Sequence, residues 1–151
     1  MQLKIREFNE NDIDKIYNVE LLSFGIGAYT YDMIIEMLHD KNSITIVIDN
    51  GNIIGYATAI RLNNYSMDIE SIAVIPEFQG HGYGKILLNE LERRMKSLGY
   101  MYSVLEVRSK NYKAIALYKN NGYKPVEYIK NYYEIDDSNG KDALRMIKSL
   151  H

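Results

Sequence analysis

The sequence predicts an α/β fold, a mixed β-sheet covered by helices on both faces. Strand-like runs come first, and strand-like and helix-like segments then alternate to the end of the chain. A junction near the middle sets the rest around it. An apolar strand ending at Val74 is broken by Pro76, and a turn follows with Gly80, Gly82 and Gly84 at every second position. A long amphipathic helix begins at once.

Each element has its own signal. Residues 3–8 alternate as a strand. Asn9 or Asn11 is placed to cap a helix carrying Ile13, Ile16, Tyr17, Glu20 and Leu21, mostly at helical spacing. Residues 24–29 read as a loop with two glycines, and Thr30 as the cap of a second helix through Leu38. Residues 44–48 and 53–60 are β-branched runs joined by Asp49-Asn50-Gly51-Asn52, a hairpin signal. Residues 65–74 continue the meander. Residues 82–98 form a helix with Leu87, Leu91, Met95 and Leu98 on one stripe, stopped by Gly99. Residues 103–108 are a strand, 111–121 a helix stopped by Gly122, and 124–129 and 143–147 the final strands. No Pro- or Ser-rich linker, repeat or charge block divides the chain, so one domain over residues 1–151 is expected.

Composition narrows the function. A chain of 151 residues with 46% apolar and 25% charged residues is ordinary for a soluble globular protein with a full core. No apolar run approaches the roughly 20 residues that span a bilayer. The first residues alternate like a strand rather than a signal peptide, which makes the cytoplasm the expected compartment. A formal charge of −2 gives no support to nucleic-acid binding. The absence of cysteine removes disulfides, thiolate metal sites and a thiol nucleophile together. The histidines are far apart in sequence and form no metal motif, so no metal is expected.

The glycine turn points to a phosphorylated cofactor. Glycine lets a ligand approach the main chain, and the unpaired N–H groups at a helix start suit phosphate. Two familiar phosphate loops do not fit. A Walker loop needs Ser or Thr after Gly-Lys, but Ile86 follows Gly84-Lys85. A dinucleotide fingerprint has Gly-x-Gly-x-x-Gly, and Lys85 stands where its third glycine belongs. What remains is Gln79-x-x-Gly82-x-Gly84. It resembles the acetyl-CoA loop of the GCN5-related N-acetyltransferase (GNAT) family. The run Leu105-Glu106-Val107-Arg108, then Asn111, Ala114–Tyr118 and Asn121-Gly122-Tyr123, resembles the second half of that family's core. Asn131-Tyr132-Tyr133 and Asp142–Met146 resemble the branch that acetylates protein N-termini: the RimI-like ribosomal-protein alanine acetyltransferases and the archaeal and eukaryotic N-terminal acetyltransferase subunits. The resemblance is strong over residues 69–146 and weak before residue 44.

The resemblance implies a specific form of the fold: a seven-stranded, mostly antiparallel sheet with about four helices. Its two central parallel strands, ending near Val74 and Arg108, splay apart to admit the pantetheine arm. It implies acetyl-CoA as cosubstrate, with Gln79, Gly80, His81, Gly82, Tyr83, Gly84 and Lys85 around the phosphates. It places a strand bulge at Ile72, Ala73 and Val74, whose main-chain groups bond the pantetheine and polarise the thioester. Lys85 either adds charge near the pyrophosphate or is a solvated first-turn lysine. His81 belongs to the exposed phosphate loop rather than to acid–base chemistry. Asn111 either caps a helix and also touches the pantetheine arm, or caps alone.

Acetyl transfer to an amine needs a base, and Glu106 is the candidate. Glu is disfavoured inside a strand, and period two puts it on the face opposite Leu105 and Val107. Partial burial would raise it toward a base's working range; the other reading is a surface glutamate paired to a lysine. The matching position in RimI-like enzymes is the catalytic base. Tyr118 is the candidate acid, singled out among 14 tyrosines only by its motif context. In the family that tyrosine faces the cofactor sulfur. An ordinary phenol near 10 suits a thiolate near 8.5. Without cysteine, direct attack in a ternary complex is expected.

The acceptor implied by the resemblance is a protein or peptide α-amine, ribosomal proteins among them. Tyr132 and Tyr133 are expected to contact its first residues, with Phe24 and Tyr29 on the opposite wall. This chain has Phe24-Gly25-Ile26-Gly27-Ala28-Tyr29 where RimI carries a Phe-Pro-Trp-like element, and the glycines suggest a mobile wall. Two alternatives stay open: an acetyltransferase of small amines or lysine side chains, and a non-catalytic acyl-CoA-binding module. No membrane partner is expected, and the oligomeric state is not legible.

Overall fold

The computed structural model describes residues 2–151. Among them, seven strands form one sheet. The strands are β1 (Lys4–Glu7), β2 (Ser43–Asp49), β3 (Ile53–Arg61), β4 (Ser66–Val74), β5 (Tyr102–Arg108), β6 (Lys124–Ile129) and β7 (Ala143–Ser149). The helices are α1 (Ile13–Phe24), α2 (Tyr31–Leu38), α3 (Tyr83–Ser97) and α4 (Tyr112–Asn120). Sheet order is β1-β2-β3-β4-β5-β7-β6. Every neighbouring pair is antiparallel except the parallel β4–β5. The mixed sheet and the helix count agree with the sequence reading.

Local chemistry explains the boundaries. Asn9 caps a short 3₁₀ turn through a capping box with Asp12, and α1 follows directly. The Thr30 hydroxyl accepts from Met33 N at 3.2 Å and starts α2. At the β2–β3 hairpin Asp49 Oδ1 accepts from Gly51 N at 2.8 Å, and Gly51 takes φ 104°. Gly99 and Gly122 stop α3 and α4 in the left-handed region, at φ 91° and 94°.

Helices cover the sheet on both sides, each with its own core. Ile16, Val19, Ile34 and Leu38 of α1 and α2 pack on Val47, Tyr56 and Ala73. Leu87, Leu88, Leu91 and Met95 of α3 are fully buried against the other face, where Ala114, Ile115 and Tyr118 of α4 join them. Each such aliphatic side chain removed from water contributes about 1.5–3 kcal/mol.

Three sequence expectations change. Leu98 lies past the end of α3 and is exposed, and Leu21 faces water on α1, so neither belongs to a buried stripe. Residues 24–29 are not one loop: Phe24 closes α1 and Gly25–Gly27 form a 3₁₀ turn. The β4 irregularity sits at Glu70 rather than at 72–74. Thr58 faces Ser71 while Ala59 faces Ile69, leaving Glu70 as the extra residue.

Candidate active site

The site begins where β4 and β5 part. Their parallel pairing runs from Ser66↔Tyr102 to Ile69↔Leu105 and stops. The Glu70 bulge turns the end of β4 away, while β5 stays paired to β7 as far as Arg108. The remainder of β4, Glu70–Val74, has no strand neighbour on that side. Ile72, Ala73 and Val74 lie along this gap. The Val74 carbonyl accepts from the Gln79 side-chain amide at 2.8 Å and from Ser23 Oγ at 3.1 Å, so Gln79 ties the glycine turn to the strand end.

The turn then delivers α3. Gly80 and Gly82 adopt φ 81° and 86°, and a Cβ added to either would meet no atom within 4 Å. Their conformation demands glycine, and the space beside them is open, as a main-chain cradle for phosphate requires. Gly82 caps α3 without a side-chain hydrogen bond, which leaves first-turn N–H groups for a ligand. Gly84 differs: its φ is not positive, and a Cβ there would make only an ordinary contact with Leu117 of α4 at 3.6 Å. His81 and Lys85 are exposed and Tyr83 is half-buried. On α4, Asn111 Oδ1 accepts from Ala114 N at 3.2 Å, so its capping role is realised. Tyr118 is half-buried, 5.8 Å from the Tyr123 ring, and burial pushes its phenol up to about 12.

Glu106 projects from β5 at the same parting. Its side chain is 7% exposed. Arg145 Nε donates to Oε2 at 2.9 Å, and the Tyr132 hydroxyl reaches Oε1 at 3.5 Å. Sheet register builds this arrangement. Glu106 faces Arg145 across β5–β7, and Arg145 faces Glu127 across β7–β6, where a second ion pair forms at 2.7 Å. Glu106 is therefore ion-paired to an arginine inside the sheet, not to a surface lysine. Asp68 on β4, level with Val104, extends the row, and its carboxyl contacts that of Glu106. Burial first, then the Glu106 charge, pushes the Asp68 carboxyl up to about 9 and raises that of Glu70.

Two loops flank this carboxyl row. Tyr29 is held by its hydroxyl on Glu70 O at 3.1 Å and by its N–H on Glu20 Oε2 at 3.0 Å. Glu20 is buried, and it accepts from the hydroxyls of Tyr56 at 2.6 Å and Ser71 at 2.8 Å. Phe24, at the end of α1, is exposed. Opposite, the Tyr132 and Tyr133 rings meet edge-on with centroids 5.0 Å apart, and the Arg108 guanidinium sits 4.0 Å from the Tyr133 centroid. Arg108 also binds Asp137 at 3.0 Å and Ile135 O at 2.8 Å, pinning the β6–β7 loop. The two loops touch: a Cβ on Gly27 would lie 2.9 Å from Asp137 Oδ2. Gly27 serves that contact and Gly25 takes φ 55°, so each of these glycines has a local reason in packing or backbone conformation.

Sequence reasoning found Glu106, Tyr118 and the tyrosines but assigned no role to Asp68, Glu70, Glu20, Arg108 or Arg145. A signal for two of them was present. Asp68 and Glu70 stand two apart in a strand-like run, the position argument applied to Glu106.

Comparison with known proteins places this geometry. The acetyltransferase (GNAT) family model matches residues 11–123. The chain belongs to the GNAT family. A ribosomal protein bS18-alanine N-acetyltransferase from Haemophilus influenzae is 30% identical over 94% of this chain and 95% of its own length. An N-alpha-acetyltransferase from Saccharolobus solfataricus is 30% identical over 97% of this chain and 92% of its own. The crystal structure of the ribosomal-protein-S18-alanine N-acetyltransferase from Escherichia coli superposes with a TM-score of 0.89, covering 99% of this chain and 94% of that one at 24% identity, a likeness of fold. This GNAT protein is an N-acetyltransferase, and GNAT acetyltransferases use acetyl-CoA. Among the described residues no group of three or more His, Cys, Asp or Glu is placed to hold a metal ion, and no helix is long and apolar enough to cross a membrane.

Proposed function

We propose that this chain transfers acetyl from acetyl-CoA to the α-amino group of protein or peptide N-termini, by direct attack in a ternary complex. The observation that carries the reading is Glu106, a carboxylate held by Arg145 at the parting of β4 and β5, between two loops that touch each other. The relatives named for ribosomal-protein and N-alpha acetylation support the acceptor class. Ribosomal proteins are accordingly the first acceptors to try, and the cytoplasm is the compartment that goes with them.

The residues divide the work. When bound, acetyl-CoA supplies the thioester. The Gln79–Lys85 turn and the start of α3 fit its phosphates, and the open edge of β4 at Ile72–Val74 fits its arm. An α-ammonium has a pKa of about 7.7–8.0, so a carboxylate in contact with it or with an intervening water is base enough. Glu106 takes that proton. Tyr118 gives a proton to the leaving sulfur. Phe24, Tyr29, Tyr132 and Tyr133 flank the peptide's first residues.

The test is mass-spectrometric acetylation of a free-N-terminus peptide library beside polyamines, aminoglycosides and α-blocked lysine peptides. Peptides acetylated at the α-amine are expected. Acetylation confined to the small amines or to lysine side chains would overturn the acceptor. Glu106→Gln should lower kcat by roughly 10²-fold while leaving acetyl-CoA affinity unchanged. Parallel double-reciprocal lines would argue against the ternary complex.

A further inference from the structure

β4 leaves β5 beside a buried carboxyl that the chemistry above does not use. Asp68 is 8% exposed, and its Oδ1 has no hydrogen-bond partner among the described residues. The groups that face it are Glu106 from β5, Glu70 from β4, Arg145 from β7 and Tyr132 from the β6–β7 loop. Three carboxyls thus meet one cation, and Arg145 shares its charge with Glu127. Two touching carboxyls out of water do not both ionise. Glu106 keeps its ion pair to Arg145, so the retained proton resides chiefly on Asp68, whose carboxyl is pushed up to about 9.

We propose that Asp68 and Glu106 together form the ammonium site of the acceptor: the incoming cation displaces the shared proton to solvent and takes its place between the two carboxyls. This rests on the reading of the chain as an acetyltransferase of amines. Charge counting supports it. Before binding, Arg145 is shared by the Glu106 and Glu127 carboxylates beside a neutral Asp68. Binding exchanges one proton for one ammonium, so the net charge of the row is unchanged. Neither an unmatched dianion nor an extra buried cation has to exist. Protons balance over turnover as well. The bound ammonium returns one proton to the pair, the neutral amine forms the new C–N bond as the C–S bond breaks, and a further amine proton ends on the thiol. The one net proton of the reaction is the one released on binding.

Infrared difference spectroscopy of the CoA-loaded protein tests this. At neutral pH the wild type should show a protonated-carboxyl band that Asp68→Asn lacks. Glu106→Gln should lower the pH at which the band is lost. Saturating methylammonium should abolish the band, and its Kd should weaken at least tenfold in Asp68→Asn; melting curves and CoA affinity check that each variant is folded. A short peptide with a free N-terminal alanine should abolish the band too, and its acetylated form should not. A band absent from the wild type, indifferent to Asp68→Asn, or persisting under saturating methylammonium overturns the proposal. Loss of the band with methylammonium but not with the peptide upholds the ammonium site and overturns the N-terminal acceptor instead.

Discussion

Tyr118 shows how a single residue changes meaning between sequence and structure. Its motif marks it, but an ordinary phenol near 10 is not what the fold supplies. Burial pushes Tyr118 up to about 12. Handing a proton from a phenol that weak to a free thiolate near 8.5 is uphill. The transfer is completed only as a proton given up by the amine or by solvent restores the phenol. We therefore expect Tyr118→Phe to bind CoA nearly normally and to turn over at least tenfold more slowly. The defect should shrink with an acyl donor whose thiol is more acidic, because that thiolate leaves without help. Equal slowing with both donors would make Tyr118 a positioning residue. The raised value also has a sign: the phenol stays protonated through neutral and mildly alkaline pH, so it contributes no alkaline limb to kcat below about 11.

At the scale of elements, the gap between β4 and β5 and the two loops beside it decide what binds. The strands themselves were legible, because their β-branched runs and glycine stops are local signals. The gap was legible only through family resemblance. The bulge that produces it falls at Glu70, and nothing in Ile69-Glu70-Ser71 announces an extra residue. The glycine turn was legible in kind, yet its glycines differ: Gly82 needs its positive φ, while Gly84 sits against Leu117. Gly82→Val should accordingly weaken CoA binding by at least tenfold in calorimetry, with the far-UV circular dichroism unchanged. An unaltered affinity would remove the turn from the site. The loop contact was illegible, since Gly27, Arg108 and Asp137 meet only in three dimensions. Arg108 holds the β6–β7 loop by an ion pair, a carbonyl contact and the Tyr133 ring. Arg108→Ala should raise the peptide KM about tenfold, leave acetyl-CoA affinity alone, and speed amide hydrogen exchange over residues 131–142. Unchanged exchange there would show that the loop stands without it.

For the whole molecule, the carboxyl row across β4 and β5 is a stability cost kept at the active site, and pH exposes it. A folded-state pKa raised above the unfolded value near 3.9 means that the folded chain binds the extra proton. The stabilising contribution is then fully present below about pH 3.9 and is lost as pH rises through the folded value. For Asp68 that window extends up to about 9. Asp12 has the opposite sign: hydrogen bonds from Arg6 hold its carboxyl below the usual range, so its contribution is present above pH 3.9 and lost in acid. The two are separable by substitution. Asp68→Asn keeps the shape and can still donate to Glu106, but it carries no charge to bury. Its melting temperature should gain on the wild type as pH rises from 5 to 9, by roughly ten degrees or more, since the linkage slope is about 1.4 kcal/mol per pH unit and each kcal/mol is worth about 2–4 °C in a chain of this size. Asp12→Asn should instead melt below the wild type at neutral pH and approach it in acid. If the gap between Asp68→Asn and the wild type stayed constant with pH, Asp68 would be ionised in the folded protein at neutral pH. The proton shared with Glu106 would then not exist.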